Sequence, residues 1–246
     1  MKDEFMSSVT HELRTPLTSI RAFSEILRED PRTNLADRVR FLAIIVKETE
    51  RLTRLINQLL DMAKIESGNA EWHTSEIDVR EAIQDSVEAT SQLFRDSGVE
   101  LSMSLQPAPR VRADRDRLVQ VIMNLLSNAV KFCPRGGRVE VRMAPAPEEG
   151  VRVDVQDSGP GISPADHEVI FEKFRQVSDT LTGKPRGTGL GLPISRKIVE
   201  HFGGRLWVES DLGQGATFSF VLPLDAGAPA EDVAPTPAPE RKELGR

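Results

Sequence analysis

Met6, Leu13, Ile20 and Leu27 recur every seven residues at the start of the chain, and Val9, Pro16 and Phe23 form a second heptad series three positions behind. This a/d spacing predicts a helix over about 2–29, packed along a bundle seam. Asp30-Pro31 breaks it, because proline disfavours helix in the residue before it. A second helix is predicted over about 35–66, where Leu42, Ile45, Thr49, Leu52, Ile56, Leu59 and Ala63 keep the same spacing. Two helices cannot enclose a core alone, so a homodimer closing a four-helix bundle is expected. A coiled-coil spacer without chemistry is the plainer reading of the same pattern.

After Ser67-Gly68-Asn69 the pattern changes. A linker is expected over 67–74 and a mixed α and β domain over 75–224. Val79 to Asp96 reads as a helix, Val99 to Leu105 as a strand, and Asp114 as the cap of a helix over Arg115 to Phe132. Val139, Val141 and Met143 alternate with polar residues, as do Val151, Val153 and Val155, which predicts neighbouring strands around the loop Pro145–Gly150. Leu190 to Phe202 reads as a helix stopped by Gly203-Gly204. Leu206 and Val208 precede a glycine turn, and Phe218, Phe220 and Leu222 alternate in a last strand. The expected fold is an α+β sandwich, a mostly antiparallel sheet with helices on one face. Residues 225–246, rich in Ala, Pro and Glu, are expected to form a disordered tail.

Composition suits a globular protein with a real core: 39% of the 246 residues are hydrophobic, 28% are charged, and the net charge is −6. The acidic balance argues against non-specific nucleic-acid binding. No apolar run approaches the roughly 18 residues needed to span a bilayer, so no membrane contact is expected from this segment. Cys133 is the sole cysteine, which rules out an intrachain disulfide. A reducing, cytoplasmic setting is expected. The four histidines show no metal-ligand spacing.

On the first helix, with Met6 at a, His11 falls at f and points away from the seam. Glu12 is its neighbour, and Thr15 lies one turn up the same face. An ordinary solvated face is the commoner explanation for one such histidine. In NLLSNAVKF, Asn124 and Asn128 share a helix face with Lys131 one turn on. Two amides among Val121, Ile122, Leu125 and Leu126 would be costly to bury unpaired, whereas amide oxygens can ligate Mg²⁺. In DSGPGI, Asp157 can accept a hydrogen bond from an exocyclic amine, and Gly159 and Gly161 admit close backbone approach. GTGLGL (residues 187–192) opens a helix, and free N–H groups there suit phosphate. Residues 178–186 before it read as a mobile lid. Each run alone is weak; GQGATF alone is a turn.

Taken together the runs resemble the bacterial sensor histidine kinases. THELRTPL is similar to the phosphoacceptor box, NLLSNAVKF to the N box, DSGPGI and GTGLGL to the two glycine boxes, FEKF to the F box, and GQGATFSF to the box that follows. All six stand in family order over residues 5–222. The resemblance implies a phosphotransfer and dimerisation domain (1–66) and an ATP-binding domain of the gyrase–Hsp90–kinase–MutL, or Bergerat, type. It implies that His11 attacks the γ-phosphate of ATP, with Glu12 orienting and deprotonating the ring. Asn128 would ligate Mg²⁺ beside Asn124, and Lys131 and Arg186 would meet phosphates. Arg175 would reach the γ-phosphate, Asp157 would read the adenine amine, and Phe132 would line the adenine pocket. Gly159, Gly161 and Ile162 would line the same site, as would Gly187, Thr188, Gly189, Leu190 and Gly191 of the lid wall, and Thr217 would assist through water. The phosphoryl group would pass to an aspartate of a response-regulator receiver domain.

Thr15 would support receiver dephosphorylation by positioning water, or else merely brace the helix near Pro16. Cys133 stands where threonine or serine is frequent and is expected to leave an accessible thiol near the pocket. The chain is read as the catalytic core of a larger membrane-bound sensor, with a short soluble kinase as the alternative. Two other classes compete: an ATPase clamp of the same nucleotide fold, and a non-catalytic dimeric scaffold.

Overall fold

The computed structural model describes residues 2–29, 34–146, 150–175 and 188–224, with side chains from residue 6 onward. Helices α1 (Lys2–Glu29) and α2 (Leu35–Glu66) form an antiparallel hairpin. Its direction is fixed by pairs such as Phe23 with Phe41, whose ring centroids lie 5.2 Å apart, and Glu12 with Arg51. Asn34 caps α2 by accepting from the Asp37 amide at 2.9 Å. The expected heptad positions on α2 divide between two faces. Ile45, Leu52 and Leu59 are half-buried, while Leu42, Thr49 and Ile56 are exposed. An apolar stripe is left uncovered: Leu35, Val39, Leu42, Val46, Ile56 and Leu60, with Thr49 and Thr53 continuing the same alternating spacing of four and three. The break at Asp30-Pro31 lies outside the described residues.

The second domain is built on a five-stranded mixed sheet, with β2 (Glu100–Leu105), β4 (Arg138–Ala146), β5 (Gly150–Asp157), β6 (Arg205–Ser210) and β7 (Ala216–Leu222) in the order β2-β4-β5-β7-β6. Only β2–β4 is parallel. Helices α3 (Val79–Ser97), α4 (Arg115–Phe132) and α5 (Gly191–His201) supply the covering layer. The alternating valines of β4 and β5 point one way, so Val139, Val141, Val153 and Val155 meet Ile122, Leu125 and Leu126 of α4, all fully buried. Burying each such side chain contributes roughly 1.5–3 kcal/mol. The loop at 147–149 and the tail 225–246 lie outside the described residues.

The linker is more structured than its composition suggests. Thr74 already belongs to β1 (Thr74–Ile77), which pairs antiparallel with β3 (Val111–Asp114). Asp114 does two jobs from a buried position. Its Oδ1 caps α4 at the amides of Asp116 and Arg117, and its Oδ2 accepts from the His73 amide at 2.8 Å. Trp72 stacks on His201 at 3.8 Å between centroids, meets Phe202 edge-on, and carries Arg117 over its ring at 5.8 Å.

Burial holds His201 below its ordinary imidazole range, because the charged form loses hydration. The unfolded chain therefore takes up the proton more readily than the folded one. Stability from this site is complete above roughly pH 6.5 and drains as pH falls below it. A Trp207→Phe variant leaves Trp72 as the sole tryptophan of two. Its emission is expected to shift red as pH falls below about 6.5, and His201→Phe should abolish the shift. A flat profile in the first variant rejects the assignment.

Candidate functional site

Two separate groups of side chains carry the chemistry. The first lies on the hairpin. His11 is 72% exposed, and Glu12 Oε1 stands 4.0 Å from His11 Nδ1. Glu12 itself is largely enclosed, with its Oε2 bonded to Arg51 Nη2 at 3.1 Å. Arg51 also faces Glu48 at 3.8 Å. Thr15 Oγ1 donates to the His11 carbonyl at 3.2 Å, the bracing arrangement, in the turn before Pro16, which offers no N–H.

The second group gathers around the C-terminal end of α4. Asn124 donates to the buried Ser195 hydroxyl at 3.2 Å and to the Gly191 carbonyl at 3.4 Å, so it fastens α4 to the first turn of α5. Asn128, half-buried one turn on, makes no side-chain hydrogen bond among the described residues. Its amide oxygen is thus available to a cation. Among the described residues no three His, Cys, Asp or Glu side chains converge on a metal. The donor set fits a Mg²⁺ ion held by one amide oxygen, nucleotide phosphates and water, since Mg²⁺ takes oxygen ligands and keeps several of its waters. Lys131 sits 4.7 Å over the Phe132 ring, and Phe132 is 39% exposed at the helix end.

Asp157 ends β5 and is 6% exposed. Its Oδ1 accepts from the Gly159 amide at 2.7 Å. That bond turns the chain back over α4, where Gly159 lies against the Phe132 carbonyl. The loop is then fixed from the far side. Ile162 N donates to Ser210 Oγ at 2.8 Å, and Gly213 N to the Pro160 carbonyl at 2.6 Å. Gly161 (φ +74°) and Gly215 (φ +79°) adopt left-handed backbone and press on the carbonyls of Asp211 and Asp157, where any Cβ would collide. The GQGATF run is therefore the buttress of the Asp157 loop. The F box and second glycine box also meet: Phe174 N donates to the Gly189 carbonyl at 2.9 Å, with φ +60° at Phe174 and +68° at Gly189.

Several expected roles are corrected. Thr217 pairs with Gln156, while Ala216 lies opposite Asp157. Directly opposed residues share a sheet face, so Thr217 points away from the Asp157 side and stands outside the group around that aspartate. Leu190 has a fully buried side chain in the core and is a packing residue. The Thr188 hydroxyl donates to Gln58 Oε1 of α2 at 2.7 Å and accepts from Leu190 N at 3.3 Å. It is engaged with the hairpin, not the pocket. Arg175 is exposed and paired with Glu172 at 3.1 Å. The Cys133 thiol is buried, 3.4 Å from Ser158 Oγ, and is not accessible. Arg186, Gly187 and residues 178–185 lie outside the described residues.

Arg51, Ser195, Ser210 and Gln58 escaped the sequence reading. A charged Glu48–Arg51 pair on the hairpin-facing side of α2 was the available signal for the first. The two groups are joined through α2. Beyond Thr188–Gln58, Asp61 accepts from Arg117 at 3.2 Å and from Gln120 at 3.0 Å, and Lys173 pairs with Glu66. Leu55 and Met62 are the buried side chains of α2.

The arrangement defines a nucleotide-binding α+β domain attached to a helical hairpin bearing an outward histidine. Residues 1–68 match the His Kinase A (phospho-acceptor) domain, and residues 113–226 match the histidine kinase-, DNA gyrase B- and HSP90-like ATPase family. The chain is 37% identical over 225 residues to the sensor histidine kinase WalK of Bacillus subtilis (strain 168), covering 89% of this chain and 36% of that relative. The solved structure of full-length ShkA in complex with AMPPNP superposes with a TM-score of 0.68 at 29% identity, over 92% of this chain and 46% of that one. The histidine kinase ThkA, in complex with the response regulator protein TrrA, gives 0.70 at 28% identity over 91% and 62%. This chain belongs to the sensor histidine kinases of two-component systems and carries their phosphoacceptor and ATP-binding domains. It spans well under half the length of the curated relatives it matches. No helix among the described residues is long and apolar enough to cross a membrane.

Proposed function

We propose that the chain phosphorylates itself on His11 with ATP and passes the phosphoryl group to an aspartate of a response-regulator receiver domain. The observation that carries this reading is the outward imidazole with a carboxylate on its Nδ1 side, on a hairpin bonded at Gln58 to the glycine-rich segment of a nucleotide domain. Phosphoryl transfer asks for alignment and charge neutralisation more than covalent chemistry. Asp157 accepts from the adenine amine, the Phe132 ring lies along the base, and Lys131 brings positive charge to the phosphates. Asn128 would hold Mg²⁺ with those phosphates, and the ion supplies charge neutralisation there. ShkA with AMPPNP and ThkA with TrrA support the nucleotide and the receiver as partners. The reaction belongs in the cytoplasm, where ATP is.

An ATPase clamp needs no exposed histidine beside a clamped carboxylate, and a scaffold needs no free amide at Asn128. Incubation with γ-labelled ATP separates the three. Acid-labile, base-stable label on the protein is expected; free phosphate without label indicates a clamp, and neither indicates a scaffold.

The protein works as a homodimer closed by the α2 stripe, since an uncovered apolar stripe this long is unfavourable in water. Ile45 and Leu52 are half-buried against α1, so charging them would also disturb the hairpin. Leu42→Glu with Ile56→Glu is the cleaner variant, because these side chains are 52% and 43% exposed in the single chain. Sedimentation is expected to give monomers with unchanged helix content. A dimer that persists through both substitutions rejects this interface.

A further inference from the structure

We infer that Arg51 is a positioning residue for phosphorylation of His11, acting through Glu12; this rests on His11 being the phosphoacceptor. Arg51 comes from α2 and reaches across the hairpin to α1. Its Nη2 holds Glu12 Oε2 at 3.1 Å, and its Nη1 faces Glu48 Oε2 at 3.8 Å. All three groups are mostly shielded, with side-chain exposures of 28% for Arg51, 17% for Glu12 and 19% for Glu48. His11, one residue before Glu12, is 72% exposed. The carboxylate side of the cluster is therefore shielded from water and the reacting side is open. A guanidinium fork fixes the plane of the carboxylate it binds, which a point charge does less well.

The consequence lies in which oxygen is left over. With Oε2 committed to Arg51, Oε1 is the oxygen directed at His11 Nδ1, 4.0 Å away. A small rotation of the exposed ring closes that gap to a hydrogen bond. A carboxylate held there accepts only, so it selects the tautomer with the proton on Nδ1 and the lone pair on Nε2. Nε2 then faces solvent and the incoming nucleotide. In the transfer, the Nε2 lone pair forms the N–P bond as the bond from the γ-phosphorus to the β,γ-bridging oxygen breaks. ADP leaves with that electron pair, and the Nδ1 proton passes to Glu12 Oε1 and on to water. Without Arg51, Glu12 is free to turn toward water or to repel Glu48, and the ring loses its fixed acceptor. Glu48 has the converse role: it shares the guanidinium charge, which keeps Glu12 from being over-neutralised.

The test uses the whole chain. Arg51→Ala is expected to lower kcat for self-phosphorylation by roughly 10- to 150-fold, the factor that corresponds to losing a charge-assisted hydrogen bond. The KM for ATP should stay unchanged, because Arg51 lies on the hairpin and touches none of the nucleotide groups. Arg51→Lys should recover part of the rate. In a Glu12→Ala background, Arg51→Ala should cost less than about twofold more, since residues acting through one group are not additive. Nitrogen-15 spectra of the unphosphorylated histidines should show His11 moving from the Nδ1–H tautomer toward a mixture in Arg51→Ala. Should Arg51→Ala lower the melting temperature or the dimer fraction, Arg51→Gln, which keeps the stem, carries the same comparison. A full multiplicative loss on top of Glu12→Ala, an unchanged kcat, or an unchanged tautomer overturns the role. Absence of acid-labile label in the unmodified protein would instead overturn the phosphoacceptor reading, while the tautomer measurement would still decide whether Arg51 positions the ring.

Discussion

Replacing His11 with glutamine is expected to abolish the acid-labile label altogether while ATP affinity stays within about twofold. The loss is complete because an amide has no lone pair able to form a stable N–P bond, whereas the imidazole Nε2 does. Affinity survives because His11 stands on α1, outside the group formed by Asn124, Asn128, Phe132 and Asp157. Stability also survives, since a side chain 72% exposed has little packing to lose. The measurement pairs autoradiography after acid and base treatment with calorimetric titration of ATP on the same sample. Label that persists through the substitution moves the phosphoacceptor elsewhere.

Asp157→Ala is expected to weaken ATP binding by roughly 10- to 150-fold, the worth of a hydrogen bond to an ionised group. The aspartate is buried at the end of β5, and one of its oxygens already accepts from the Gly159 amide at 2.7 Å. Alanine therefore removes both the proposed adenine acceptor and the clasp that shapes the loop. Asp157→Asn separates the two, because its amide oxygen can keep the Gly159 bond while its NH₂ faces the base with the wrong polarity. Both variants should lose affinity, with only the alanine lowering the melting temperature. Asn128→Ala should lose the magnesium dependence of binding and leave the adenine contact intact. Unchanged affinity in a folded Asp157→Asn variant would falsify the adenine role.

The elements themselves were legible because each rested on local chemistry. Asp114 caps α4 where an aspartate before an apolar-periodic run should. The valines of β4 and β5 alternate with period two and share the core face. The pair β1–β3 was missed because Thr74–Ile77 is short, mostly exposed and without alternation. Its partner lies some 37 residues away in the register Thr74↔Asp114 to Ile77↔Val111. The docking of the linker has no signal in its own residues, because a lone Trp72 carries no periodicity; its partners His201, Phe202 and Arg117 arrive from α4 and the end of α5.

The candidate site divides in the same way. The order of six motifs made His11, Glu12, Asn128 and Asp157 candidates, because each motif lies within one turn or one loop. The motif could not say on which sheet face Thr217 lies: only the β5–β7 register says that Ala216, and not Thr217, shares the face of Asp157. Thr188 was given to the pocket because its motif surrounds phosphate, but Gln58, 130 residues earlier, takes its hydroxyl. Leu190 went to the core for the same reason that glycines flank it: the turn packs tightly, and the one large apolar side chain in it has nowhere else to go.

The amino-acid sequence by itself determined the two helices of the hairpin, most elements of the α+β domain, the outward face of His11 and the family. Those depend on periodicity, caps and short motifs, whose physics acts over a few residues. The tertiary structure alone decided what Glu12 leans on, which residue faces Asp157, what holds Thr188 and whether the thiol of Cys133 meets solvent. Each of these is a contact between residues distant in the chain, fixed by strand register and helix docking, and no local pattern encodes the partner.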